Sequence, residues 1–143
     1  VYINGDAGFW TFLGGAGLIN GNTATPWFGG SPPQGFGGSQ YAFLQNSSSL
    51  QQSFIAQSSG LLTLSWLEAA RPVISSSAGN QNYTVHLDGT LLGSFSTVSG
   101  QAFTARSAAI VPVSAGIAYT LTFTGTAAGD NTAFIDNISG TIA

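Results

Sequence analysis

The chain contains no cysteine, no methionine and no lysine, and all of its charge rests on two arginines and five carboxylates. The missing cysteine excludes disulfides, thiolate nucleophiles and Cys-ligated zinc. A single histidine, His86, excludes a His-rich metal centre. A net charge of −3 with two basic side chains gives no footprint for nucleic acid. No apolar run reaches the ~18 residues needed to span a bilayer. The sequence opens at Val1 with neither methionine nor a charged leader, which reads as a chain whose export signal has been removed.

Neutral polar residues take the place of charge. Serine, threonine, asparagine and glutamine number 18, 14, 8 and 8. Charged residues make up only 5%, where a soluble domain ordinarily has about a quarter. Aromatic residues reach 12%, and with the β-branched residues they argue for a folded chain rather than a disordered one. A length of 143 residues suits a single domain, 1–143, with a real core.

The dominant period is two. Leu62, Leu64 and Trp66 alternate with Thr63, Ser65 and Leu67. Tyr83, Val85 and Leu87 alternate with Thr84, His86 and Asp88, and Tyr119, Leu121 and Phe123 with Thr120, Thr122 and Thr124. Such alternation marks strands with one buried and one wet face. Further strands are predicted at Trp10–Leu13, Tyr41–Leu44, Leu50–Ile55, Leu91–Phe95, Ala102–Ile110 and Thr132–Ile138. Asp88-Gly89 is a hairpin signal, because such turns favour positive φ. No segment carries a helical period. The expected fold is all-β, an antiparallel sandwich of jelly-roll type. The stretch 14–40 stands apart as a loop, with nine glycines, Pro26, Pro32 and Pro33, and the aromatics Trp27, Phe28 and Phe36. A loop of that length is either functional or a surface crossover whose aromatics tuck onto the core.

The tail Gly125-Thr126-Ala127-Ala128-Gly129-Asp130-Asn131-Thr132-Ala133-Phe134-Ile135-Asp136-Asn137-Ile138 resembles the closing strand of galactose-binding-like jelly-roll domains. These occur in exported bacterial proteins, many with PEP-CTERM sorting signals. Trp10-Thr11-Phe12 with Gly14-Gly15-Ala16-Gly17, Ala42-Phe43-Leu44-Gln45, Leu64-Ser65-Trp66 through Ala69-Ala70-Arg71-Pro72, and Val85-His86-Leu87-Asp88-Gly89 fit the same pattern in order. The resemblance implies an extracellular or cell-surface setting and carbohydrate binding rather than catalysis. It also implies a structural calcium held in part by Asp136. Family members begin with an Asn-Gly-x-Phe-Glu strand, whose glutamate is the other half of that site. Here Asn4-Gly5-Asp6 runs straight into Phe9-Trp10, so the calcium site is incomplete and one sheet is short of a strand. Either Val1–Ile3 replaces the missing strand or another chain fills the gap.

By parity with Phe134 and Ile138, Asp136 should point inward. A buried carboxylate needs a partner, either a calcium ion or backbone N–H groups and hydroxyls. His86 falls on a wet face. With no Gly-x-Ser-x-Gly elbow beside it, it reads as a surface polar group rather than a catalytic base. Glu68 and Arg71 follow a strand and are expected to form a rim ion pair. The lone glutamate finds no second acid placed for glycoside hydrolysis. Sugar recognition instead combines flat aromatics with hydroxyl-binding side chains. The candidates are Trp27, Tyr41, Gln45, Glu68, Arg71 and His86.

Two functions follow from this reading. One is a non-enzymatic extracellular module that binds polysaccharide or another glycan in adhesion. The other is a structural subunit that assembles with copies of itself into a fibre or biofilm matrix. Sheet edges are ordinarily guarded by charge, above all by lysine, and this chain has none.

Overall fold

A computed structural model describes residues 5–7, 10–20, 33–71 and 80–143. Their strands are β1 Gly5–Ala7, β2 Trp10–Leu13, β3 Ala16–Asn20, β4 Gln40–Gln45, β5 Ser49–Ile55 and β6 Gly60–Ala70. They continue with β7 Asn82–Leu87, β8 Thr90–Ser96, β9 Thr104–Ser107, β10 Val111–Val113, β11 Ala118–Gly125 and β12 Thr132–Ile142. The first sheet runs β1-β2-β5-β11-β7-β8. The second runs β10-β6-β12-β4-β3, with β9 also paired to β6. Every pairing is antiparallel. The result is an all-β sandwich of jelly-roll type.

The period-two pattern builds the space between the sheets. Leu62, Leu64 and Trp66 of β6 face Tyr83, Val85 and Leu87 of β7 and Leu121 and Phe123 of β11 across it. Trp66 meets Phe123 edge-on at 5.1 Å and Phe95 at 4.9 Å. The expected hairpin joins β7 to β8 through Asp88, whose φ is 50°. Asp88 is also tied to β11: its N–H donates to the Thr120 carbonyl at 2.8 Å, and its carboxylate accepts from the Thr120 N–H at 2.9 Å.

Three departures from the sequence expectation have physical causes. Ala16–Asn20, inside the expected loop 14–40, is a strand paired with β4 from Ala16↔Leu44 to Asn20↔Gln40. Gly17 interrupts its alternation and hides it. The Ala102–Ile110 run contributes a strand only over Thr104–Ser107. In β12 the register shifts between Asp136 and Ser139, where Asn137 takes a φ of 54°. That bulge separates residues expected on one face. Ile138 joins the inter-sheet core, while Asp136 stays with Phe134 on the opposite face of the sheet.

That opposite face carries a second, smaller core of Ile19, Tyr41, Phe43, Ala69 and Phe134, roofed by Phe36 and Phe103. Tyr41 packs against Phe36, Phe103 and Phe134 with centroids 5.1–5.2 Å apart. The centre of this sheet is therefore buried on both sides, which accounts for the unbroken apolar runs Tyr41–Leu44 and Ala133–Ile135. Phe36 tucks onto the core, as the crossover reading of 14–40 expected. Tyr41 is 1% exposed, its hydroxyl has no hydrogen-bond partner among the described residues, and burial pushes its pKa well above the usual phenol range. An unpartnered buried hydroxyl costs about 1–3 kcal/mol. Tyr41→Phe should therefore raise stability by about 1 kcal/mol in urea unfolding, and a loss of stability would contradict this packing.

Candidate functional site

Several turns meet at one end of the sandwich. The β2–β3 turn brings Gly14 and Gly15, the β4–β5 turn brings Asn46, Ser47 and Ser48, and the β11–β12 loop brings Gly129 and Asp130. With Gln45 they line an open cleft of about 420 Å³. Asp130 is the focal group. Its Oδ1 accepts from Arg71 Nη1 at 2.6 Å and from the Gln45 side-chain amide. The Arg71 side chain is 11% exposed and that of Asp130 37%, so the carboxylate is clamped from below while one side faces the cleft.

The turns are fixed by hydrogen bonds, which makes the cleft a preformed surface. Asn46 adopts a φ of 58°. Its N–H donates to the Asn131 carbonyl at 3.1 Å, and its side-chain oxygen accepts from the Gly129 N–H at 3.2 Å. Gln45 N–H reaches the Gly15 carbonyl at 3.0 Å. Beneath lies Gln81, fully buried. Its amide nitrogen donates to the carbonyls of Leu44, Asn46 and Asn131 at 2.9–3.2 Å, and its oxygen accepts from the Ala127 N–H at 3.1 Å. Gly125 must stay bare here, since a Cβ would lie 2.7 Å from the Gln81 amide nitrogen. Beside the cleft, the Ser48 hydroxyl is buried without a hydrogen-bond partner among the described residues.

The structure brings together two of the six ligand-binding candidates, Gln45 and Arg71. Trp27 lies outside the described residues. Tyr41 is sealed in the smaller core and offers no stacking face. His86 is half-buried on the outer face of the first sheet, in register with Thr122 and Leu91, and is not among the residues that line the cleft at the end of the sandwich. The expected Glu68–Arg71 ion pair does not form. Because β6 continues to Ala70, the alternation that buries Trp66 also turns Glu68 inward, and Glu68 is 0% exposed. Glu68 Oε1 accepts from the Tyr83 hydroxyl at 2.7 Å. Its Oε2 accepts from Gln101 at 2.7 Å and from Arg106 Nη2 and Nε at 3.0 and 3.2 Å. Trp66 Nε1 donates to the same Tyr83 oxygen at 2.9 Å. Burial first, and then the Glu68 charge, push the Tyr83 pKa far above the phenol range.

Asp136 is half-buried rather than inside the core, and it accepts from the Gly37 N–H at 2.6 Å. Calcium takes six to eight oxygen ligands. Among the described residues no group of three or more His, Asp or Glu side chains gathers to hold a metal. Asp130, Asn46 and Gln81 were not among the candidates read from the sequence. Only Asp130 carried a signal, as the charged residue of a glycine-flanked loop, and nothing local showed that its partners would be Gln45 and Arg71.

No family model matches the chain, and no curated protein matches it. Among solved structures it is similar to a family 35 carbohydrate-binding module from Clostridium thermocellum, at 16% identity over 94% of this chain and 92% of that one, with a TM-score of 0.63. It is also similar to a cyclase from Fischerella sp. TAU, at 10% identity over 100% and 89% of the two chains, TM-score 0.67. A third likeness is to a Podospora anserina GH26-CBM35 β-(1,4)-mannanase, at 20% identity and TM-score 0.58. It covers 90% of this chain but 28% of the mannanase. At these identities the likeness establishes the sandwich, which binding modules and enzymes share.

Removing one partner of a buried ion pair typically costs about 3–5 kcal/mol. Arg106 retains some solvent contact, with its side chain 33% exposed, so Glu68→Ala should destabilise by about 3 kcal/mol in urea unfolding. A loss under about 1 kcal/mol would mean that Glu68 behaves as the rim residue the sequence suggested.

Proposed function

We propose that this chain is a non-enzymatic binding module for a neutral glycan and that the cleft around Asp130 receives it. The observation that carries this reading is the clamped carboxylate. Asp130 is held by Arg71 and Gln45, with its remaining acceptor capacity directed at a cleft of neutral hydrogen-bonding groups. Sugar hydroxyls are matched to such a surface, because each can donate to a fixed carboxylate and accept from an amide. The cation at the cleft is already neutralised by Asp130 at 2.6 Å. A uronic acid would meet the aspartate rather than a free positive charge, and this selects neutral sugars. A cleft with one carboxylate lacks the acid–base pair of glycoside hydrolysis.

Two things support a binding module over an enzyme. His86 stands apart from Asp130, so no His–carboxylate pair forms at the cleft, and the similar folds include named carbohydrate-binding modules. A surface of serine, threonine, asparagine and glutamine with few charges accords with an extracellular or cell-surface setting and a role in adhesion to polysaccharide.

Calorimetric titration with neutral and uronate-bearing oligosaccharides tests the assignment. Binding of a neutral glycan should weaken about tenfold or more in Asp130→Asn and Gln45→Ala, as expected for losing a charge-assisted hydrogen bond. It should be unchanged in His86→Ala. Thermal melts establish that each variant is folded. Preference for uronates, or loss of binding in His86→Ala alone, would move the site elsewhere.

A further inference from the structure

A second opening lies between the sheets, away from the glycan cleft. β5 pairs with β2 only from Leu13↔Ser49 to Thr11↔Gln51. Gln52–Ile55 therefore present a free edge on that side among the described residues. Across the opening, β12 pairs with β4 only from Thr132 to Ile135, which among the described residues leaves Ser139–Ile142 bonded to β6 alone. Between these edges is a groove of about 260 Å³ whose floor includes the core residues Leu62, Leu64 and Leu121. No charged residue lines it. Gln52 shares its inward parity with Leu50 and Phe54 and lines the groove.

We propose that this groove accepts a β-strand from a second copy of the chain, the Val1–Ile3 segment serving as donor. Two edges with unused backbone N–H and C=O groups and an apolar floor are what an added strand satisfies. Val1-Tyr2-Ile3 has the alternation to place two β-branched side chains on that floor. The register of β1 argues for donation between copies. Gly5 is level with Phe12 and Ala7 with Trp10, so the backbone at Gly5 is directed toward the Leu13 end of β2. The groove opens at the other end, past Thr11↔Gln51. Neither edge carries the lysine or proline that ordinarily blocks strand addition, and a net charge of −3 opposes association of copies only weakly.

The absence of cysteine permits a direct test. Tyr2→Cys and Ser53→Cys, both on the face away from the floor, are made as separate variants, mixed and mildly oxidised. Mass spectrometry should find dimers linked between positions 2 and 53. Gln52→Lys, which puts an ammonium group in the groove, should weaken concentration-dependent self-association about tenfold or more in sedimentation velocity, with its thermal melt retained. Monomers alone at about 1 mM, well above the range of specific assembly, would overturn the proposal. So would a 2–53 link that forms within one chain of the double variant and never between mixed single variants. Glycan titration of Gln52→Lys separates this surface from the cleft, since binding there should be unaffected.

Discussion

A carboxylate shielded from solvent sits at the centre of this fold. Glu68 is fully buried between the sheets, and such a charge is tolerated only when every lone pair is engaged. Tyr83 reaches it from the first sheet, and Arg106 and Gln101 from the second sheet and its loop. Trp66 donates to the same tyrosine. The constraint spreads outward from there. It fixes how β6 stands over β7, draws the 97–103 loop across the end of β6, and leaves Arg71, just beyond that strand, to pair with Asp130. The two arginines thus serve two carboxylates at two depths, one in the core and one at the cleft.

Low charge has consequences at three levels. In the interior, a neutral amide does work often given to an ion pair, as Gln81 shows by joining three carbonyls and one N–H beneath the cleft. At the cleft, the carboxylate of Asp130 is compensated by Arg71, so the surface offers neutral donors and acceptors. At the groove, uncharged edges offer little resistance to an added strand. The two proposed uses, carbohydrate binding and assembly with copies, are therefore compatible in one molecule, because they are assigned to different openings in the sandwich.

Much of the architecture was legible in the residues. Period-two alternation located β6, β7 and β11, because one wet face and one dry face leave that trace, and short strand-forming runs located β2, β4, β5, β8 and β12. Where both faces are buried, the trace vanishes and parity misleads. Tyr41 alternates with core residues yet belongs to the smaller core, and Asp136 was assigned the wrong face because a bulge at Asn137 resets the register. Glu68 was misread for a related reason. Its strand is two turns of the pleat longer than the apolar run that announced it, so a residue expected on the rim continues the buried series. The site was less legible, since Gln45, Arg71 and Asp130 lie far apart in sequence and meet only once three turns are stacked at one end.

The central claim is that a neutral glycan binds at the cleft beside Asp130. Backbone amide shifts of the labelled protein, followed by NMR during titration with neutral oligosaccharides, test it most directly. The account predicts saturable shifts concentrated at Gln45, Asn46, Ser47, Gly129 and Asp130. Shifts concentrated on the face that carries Thr122 and His86, or none with any neutral glycan, would contradict it.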